Sequence, residues 1–152
     1  MIKKTVTTVI PTYNGLVLLQ KYLPSVISAS RNGDEIVIVD DNSGDETITT
    51  LKKKYSLQEI EKPDSLPRIK HYYPNPNEIP FTILYGVISM QSKKVRIVLL
   101  SLKKNLRFAG AANIGVMLAS HNYIFLINND VQVNPETIEN LTVHFNDPQV
   151  FA

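Results

Sequence analysis

The chain has 152 residues, 43% of them hydrophobic and 20% charged, with a formal net charge of +2 and no cysteine. This is the composition of one globular domain with enough apolar content for a core. It excludes disulfides and thiolate metal sites, mildly favours the cytoplasm, and argues against a dedicated nucleic-acid surface.

Residues 6–10 are a short, mostly β-branched run that enters Pro11 and the polar turn Thr12, Tyr13, Asn14, Gly15. Tyr13 and Asn14 read either as turn chemistry or as an aromatic and an amide at the mouth of a crevice. A helical pattern follows, with Leu16, Leu19, Leu23 and Val26 on one face. Pro24 lies inside it and removes a backbone hydrogen bond, which predicts a kink or break. Ile36 to Val39 are continuously β-branched, the mark of a strand buried on both faces in a parallel sheet. Asp40 and Asp41 follow at once. Ser43 with Glu46 has capping-box spacing, and Ile48, Leu51 and Tyr55 give the helix it opens a buried stripe. Two adjacent carboxylates repel and one would suffice for a cap, so the pair points beyond a decorated turn.

Residues 61–94 hold Pro63, Pro67, Pro74, Pro76 and Pro80 around His71, Tyr72 and Tyr73. That spacing breaks helix and sheet alike and predicts a loop insertion within the domain. A mobile insertion is favoured over a lid or acceptor-recognition role for Tyr72 and Tyr73. Within it, residues 81–90 fit a strand better than a short helix. A strand at 95–102, a helix at 108–121 and a strand at 123–128 come next, the last ending in Asn128-x-Asp130. Side chains two apart on a strand point the same way, so this pair would face one ligand together. Hard oxygen donors of this kind suit magnesium or manganese bridging to a diphosphate. Taken alone, an acidic residue after a buried strand is more often a turn or cap. Pro135 would open a last helix at its first position, with Ile138, Leu141 and Phe145 facing the core.

The alternation of strand and helix predicts an α/β protein with a parallel sheet and helices on both faces. Ligands of such sheets bind at the carboxyl ends of the strands, at the topological switch point. Tyr13, Asp41 and Asp130 all fall just past strand ends. Elsewhere the signals are bland. The clusters Lys52–Lys54, Lys93-Lys94-x-Arg96 and Lys103-Lys104 read as solvated faces rather than anion-docking sites. His71, His121 and His144 have no ligand spacing, and His121 is expected to be a partly buried helix residue. No segment approaches the ~18–20 apolar residues of a membrane span. The sequon at Asn140 falls on an expected helix and carries no weight.

Four segments now add up. Val-Ile-Pro-Thr-Tyr-Asn (9–14), Ile-Val-Ile-Val-Asp-Asp-Asn-Ser (36–43), Asn-Leu-Arg-Phe-Ala-Gly-Ala-Ala-Asn-Ile-Gly (105–115) and Phe-Leu-Ile-Asn-Asn-Asp (125–130) resemble family 2 glycosyltransferases, in the manner of rhamnosyltransferase-like members. The resemblance covers residues 5–57 and 95–145. It implies a GT-A fold, a Rossmann-like three-layer sandwich with a mostly parallel central sheet, and one nucleotide-sugar-binding domain over 1–152. The implied enzyme is a hexosyl- or deoxyhexosyltransferase. It would move a sugar from a nucleotide-diphosphate sugar to an acceptor hydroxyl, with inversion and with Mg2+ or Mn2+. The acceptor would be a glycan, a lipid-linked molecule or a protein in cell-envelope polysaccharide or glycoconjugate synthesis. The location implied is the cytoplasm, compatible with peripheral association at the inner face of the membrane.

Residue by residue, the resemblance puts Pro11 and Tyr13 on the nucleobase pocket and Asp41 on the base or ribose. Asn113, Gly115 and Asn129 would lie near the nucleotide sugar. Asn128 and Asp130 match the ends of the family's Asp-x-Asp metal motif, with Asp130 as the carboxylate ligand. Asn128 replaces the first aspartate, lowering local negative charge, as in many rhamnosyltransferase-like sequences. Arg107 stands where the family usually has glycine; an altered turn is favoured over a cation near the diphosphate. Family domains run on past the metal motif to supply an acceptor face and a general base. The expectation is therefore a truncated, C-terminally incomplete donor-binding portion, with no catalytic base to name. Two other classes stay open: a non-catalytic nucleotide- or carbohydrate-binding module of the same fold, and a receiver-type signalling domain. The receiver would need its acidic pair on the first strand, Asp130 as phosphoacceptor and a lysine after a fifth strand.

Overall fold

The computed structural model describes residues 4–61, 78–90 and 92–150. The fold is α/β, built on a six-stranded, mostly parallel mixed sheet in the order β3-β4-β5-β2-β1-β6. Its strands are β1 (Val6–Thr12), β2 (Glu35–Asp40), β3 (Gln58–Ile60), β4 (Phe81–Met90), β5 (Lys93–Leu102) and β6 (Tyr123–Leu126). The helices are α1 (Leu16–Ala29), α2 (Thr47–Lys54), α3 (Arg107–Leu118) and α4 (Thr137–Val143). Strands β5, β2, β1 and β6 run parallel, while β3, β4 and β5 pair antiparallel.

Every residue of β1 and β2 is buried, which follows from their apolar runs and from helices on both faces. Alternate side chains go to alternate faces. Ile10, Ile36, Ile38, Ile97 and Leu99 share one core layer with Leu19, Leu23 and Val26 of α1 and Leu51 of α2. Val9, Val37, Val39 and Leu100 meet Ala111, Ile114 and Met117 of α3 in the other. Each fully buried side chain of this kind stabilises the fold by roughly 1.5–3 kcal/mol. Helix α3 comes very close to the sheet because position 115 is glycine. A Cβ there would stand 2.5 Å from Val9 Cγ1 and 2.8 Å from Val39 Cγ2.

Several boundaries differ from those expected. Helix α1 is continuous through Pro24. Proline costs one hydrogen bond on the exposed side, while Leu19, Leu23, Val26 and Ile27 hold the other side in the core. The Ser43–Glu46 capping box does not form. Helix α2 starts only at Thr47, whose N–H and hydroxyl both donate to Asp45 Oδ1 at 3.1 and 2.6 Å. Helix α3 ends at Leu118, so His121 is not helical. Glu35 takes the chain beyond the helix, accepting from Ser120 N and Ser120 Oγ at 2.9 and 2.8 Å. The His121 ring then lies 3.1 Å from Thr5 Oγ1 and 3.0 Å from the Gly33 carbonyl oxygen. Helix α4 begins two residues after Pro135, and it buries Ile138 and Thr142 while leaving Leu141 half-exposed. Within 61–94, residues 81–90 form the expected strand; Tyr72, Tyr73 and the prolines at 63–76 lie outside the described residues.

From β1 the chain steps outward through β2 to β5, then returns to place β6 on the other side of β1. The direction of winding reverses between β1 and β6. That is where a parallel α/β sheet opens a crevice beyond its strand ends.

Candidate functional site

A crevice of about 340 Å3 lies at that position. The end of β1 contributes Pro11, Thr12 and Tyr13, and the end of β2 contributes Asp41. Phe108 and Ala111 come from α3, Leu18 from α1, and Asn128, Asn129 and Asp130 from the segment after β6.

Asn128 and Asp130 are brought together by a turn, not by the pleat of a strand. Strand β6 stops at Leu126, although the Ile127 N–H still reaches the Val9 carbonyl at 3.0 Å. Residues 129 and 130 then turn, leaving Asn128 and Asp130 exposed at the crevice. Asn129 holds the turn down, donating from Nδ2 to Thr12 Oγ1 at 2.8 Å. Gly15 makes room for this pair: a Cβ at position 15 would stand 2.1 Å from Thr12 Oγ1 and 2.3 Å from Asn129 Nδ2.

Asp41 is fixed from several sides. Its N–H donates to the Thr12 carbonyl at 2.8 Å, and its Oδ1 accepts from the Leu106 N–H at 2.6 Å. Asn105 Nδ2 donates to its carbonyl oxygen at 3.1 Å. Burial raises the Asp41 carboxyl above the usual carboxylate range, partly offset by the N–H groups of Leu106 and Arg107 and by the Arg107 charge. Asp40, next to it, is buried and does not line the crevice. Its Oδ2 accepts from the Ser43 N–H at 3.1 Å, and its Oδ1 is buried without a partner among the described residues. Burial also raises the Asp40 carboxyl.

The loops after β1 and β2 are laced together. Asn14, at φ 48°, donates its N–H to Ser43 Oγ at 2.8 Å and accepts from the Gly44 N–H at 2.8 Å. Asparagine tolerates this left-handed conformation better than most residues. Asp45 Oδ2 accepts from the Leu16 N–H at 3.2 Å, at the first turn of α1. Tyr13 and Phe108 stand at the crevice, each 56% exposed.

Six of the eight residues singled out from sequence therefore meet: Pro11, Tyr13, Asp41, Asn128, Asn129 and Asp130. The other two do not line the crevice. Gly115 is packed between α3 and the valines of β1 and β2, and Asn113 is half-buried on the same helix. Thr12, Leu18, Phe108 and Ala111 line the crevice without having been singled out. Thr12, Phe108 and Ala111 lie inside the motif segments, and that adjacency was the available signal. Arg107 stands in a turn at φ 64°, a conformation in which a glycine would be at ease.

The family model described as Glycosyl transferase family 2 matches residues 7–77 and 87–152. No curated protein sequence matches the chain. The fold is similar to that of the crystal structure of S. aureus TarS 1–349, with TM-score 0.59 and 17% identity over 94% of this chain and 32% of that one. TarS 1–349 in complex with UDP-GlcNAc gives 0.59 and 17%, over 94% and 31%. For S. aureus TarS itself the TM-score is 0.58 and the identity 18%, over 94% and 20%. The chain thus spans about a third of the length of TarS 1–349. At such identity the likeness concerns the fold.

Proposed function

The chain belongs to glycosyl transferase family 2, and on that premise we propose that its strand-end crevice holds a nucleotide-diphosphate sugar for transfer to an acceptor hydroxyl. The observation that carries this reading is the meeting of Tyr13, Asp41, Asn128 and Asp130 in one crevice at the switch point of the sheet. S. aureus TarS, of similar fold, has been solved with UDP-GlcNAc and with UDP, which supports a nucleotide-diphosphate donor.

In this reading Asp41, anchored through Oδ1, accepts a hydrogen bond from the nucleoside. Tyr13 and Phe108 offer ring faces to the base; stacking of this kind is worth about 1–3 kcal/mol per base. Asn129 holds the turn that presents Asp130. The donor set of one carboxylate and one amide fits a hard divalent cation that draws its other ligands from diphosphate oxygens and water. Among the described residues no group of three His, Cys, Asp or Glu forms a fuller cage. Bound at Asp130 and Asn128, Mg2+ or Mn2+ would neutralise charge on the departing diphosphate. The acceptor oxygen bonds to the anomeric carbon as the bond to the diphosphate oxygen breaks, with inversion, and the acceptor's hydroxyl proton passes to a general base that no described residue is assigned to supply. The acceptor is a glycan, a lipid-linked molecule or a protein of cell-envelope synthesis, met in the cytoplasm or at the inner face of the membrane. No helix among the described residues is long and apolar enough to cross that membrane.

Asp130→Ala tests the assignment. Asp130 is exposed and anchors no element, so stability should stay within about 0.5 kcal/mol of the parent. Metal-dependent nucleotide binding should disappear. A variant that binds nucleotide and manganese as the parent does would refute the placement of the cation.

A further inference from the structure

Arg107 begins α3 with φ 64°, a left-handed conformation in which a bulky side chain is strained. The turn itself has a clear use. It lets the Leu106 N–H reach Asp41 Oδ1 at 2.6 Å while the Arg107 N–H reaches Asn105 Oδ1 at 3.1 Å. Glycine or asparagine would make the same turn at lower cost, so the turn does not account for arginine.

The charge of the neighbouring crevice bears on it. The residues lining the crevice include two carboxylates, Asp41 and Asp130, and no lysine or arginine. A nucleoside diphosphate brings further negative charge into the same space. Asp130 and Asn128 face the β6 side, where a cation would sit; Asp41 lies on the β2 side, across β1 from them. Arg107 is exposed, adjoins the crevice-lining Phe108, and directly follows Leu106, whose N–H is held by Asp41 at 2.6 Å. Exposed charges of this kind act over roughly a Debye length, about 8–10 Å in ordinary buffer.

We propose that Arg107 is the electrostatic counterweight of this crevice, offsetting Asp41 and favouring anionic nucleoside diphosphates over the corresponding neutral nucleosides. The proposal rests on the donor-site reading above. It goes beyond that reading by giving a role to a charged residue that does not itself line the crevice.

The test compares the parent chain with Arg107→Asn, which tolerates the turn without the charge, and Arg107→Lys, which keeps the charge. UDP, dTDP, GDP and CDP are titrated with manganese, and the matching nucleosides are titrated by NMR. For the diphosphate that the parent binds, Arg107→Asn should weaken binding about fivefold at low salt. The loss should close to less than about twofold near 0.5 M salt as the charges are screened. Nucleoside binding should be unchanged, Arg107→Lys should match the parent, and Arg107→Asn should melt no lower than the parent. Equal diphosphate binding by Arg107→Asn would overturn the proposal. So would an equal loss for nucleoside and diphosphate, a loss in Arg107→Lys as large as in Arg107→Asn, or a lower melting temperature in Arg107→Asn. If the parent binds none of the four diphosphates, the donor-site reading falls first and this proposal with it.

Discussion

Asp40 and Asp41 are neighbours in sequence with different work to do. Asp41 faces the crevice and is held by backbone N–H groups, whereas Asp40 is 1% exposed with one carboxylate oxygen unpartnered among the described residues. A buried, unpaired polar atom costs about 1–3 kcal/mol, and more when charged. Burial, chiefly, raises the Asp40 carboxyl from its ordinary value of 3.8. The sign follows from linkage: a raised folded-state value gives stability that is complete below 3.8 and lost as pH climbs through the folded value. Asp45 acts in the opposite sense, because hydrogen bonds led by that from Thr47 outweigh its burial and lower its carboxyl. The clean readout is therefore a difference between proteins. Asp40→Asn should melt higher than the parent at pH 7, with each kcal/mol worth about 2–4 °C. The gap should narrow as pH falls, because the raised Asp40 carboxyl of the parent takes up its proton at a higher pH than an ordinary carboxyl does. A variant that melts lower at pH 7 would mean that the charged form is the favoured one in the fold.

Among the elements, α3 joins the core to the crevice. Its Gly115 lets the helix close on Val9 and Val39, and its first turn carries Phe108 and the N–H groups that hold Asp41. Gly115→Ala should destabilise the fold by about 1–3 kcal/mol through overpacking, several degrees in Tm. Folded Gly115→Ala should bind nucleotide as the parent does, since position 115 lies off the crevice. Unchanged Tm with lost binding would instead place Gly115 at the nucleotide sugar, as the family resemblance implied. The strands and buried helical stripes were legible in the sequence because burial on two faces leaves an unbroken apolar run, as at 36–39, and burial on one face leaves a period, as at Leu19, Leu23 and Val26. Element ends were not legible, because particular hydrogen bonds, some local and some distant, set them. Helix α2 waits for Asp45 and Thr47 rather than Ser43 and Glu46. Helix α3 stops where Glu35, 85 residues earlier, captures Ser120. The same holds for the site. Asn128 and Asp130 were found through a pleat argument that does not apply, and they meet because Asn129 is tied to Thr12 across 117 residues. Charged, amide and aromatic groups at strand ends announced themselves, whereas Leu18 and Ala111 joined the crevice through packing and Thr12 through its long-range bond to Asn129.

For the whole molecule, the order β5-β2-β1-β6 decides where chemistry can occur. It sets Asp41 on one side of β1 and Asp130 on the other, so that a ligand bridging them lies across the strand ends as an extended molecule would. The opposite end of the sheet is closed instead by a polar network. There Asp34 accepts from Val6 N and Arg31 N at 2.9 and 2.8 Å, and Glu35 accepts from Thr7 Oγ1 at 2.9 Å. One end is thus tied shut and the other left open. The most direct measurement of the central claim is calorimetric titration of the chain with UDP, dTDP, GDP and CDP, each with and without manganese. A donor site in this crevice predicts that one of them binds, that manganese strengthens it, and that the preferred base is thereby identified. Folded protein that binds none of the four, with or without the metal, would contradict the assignment of this crevice as a donor site.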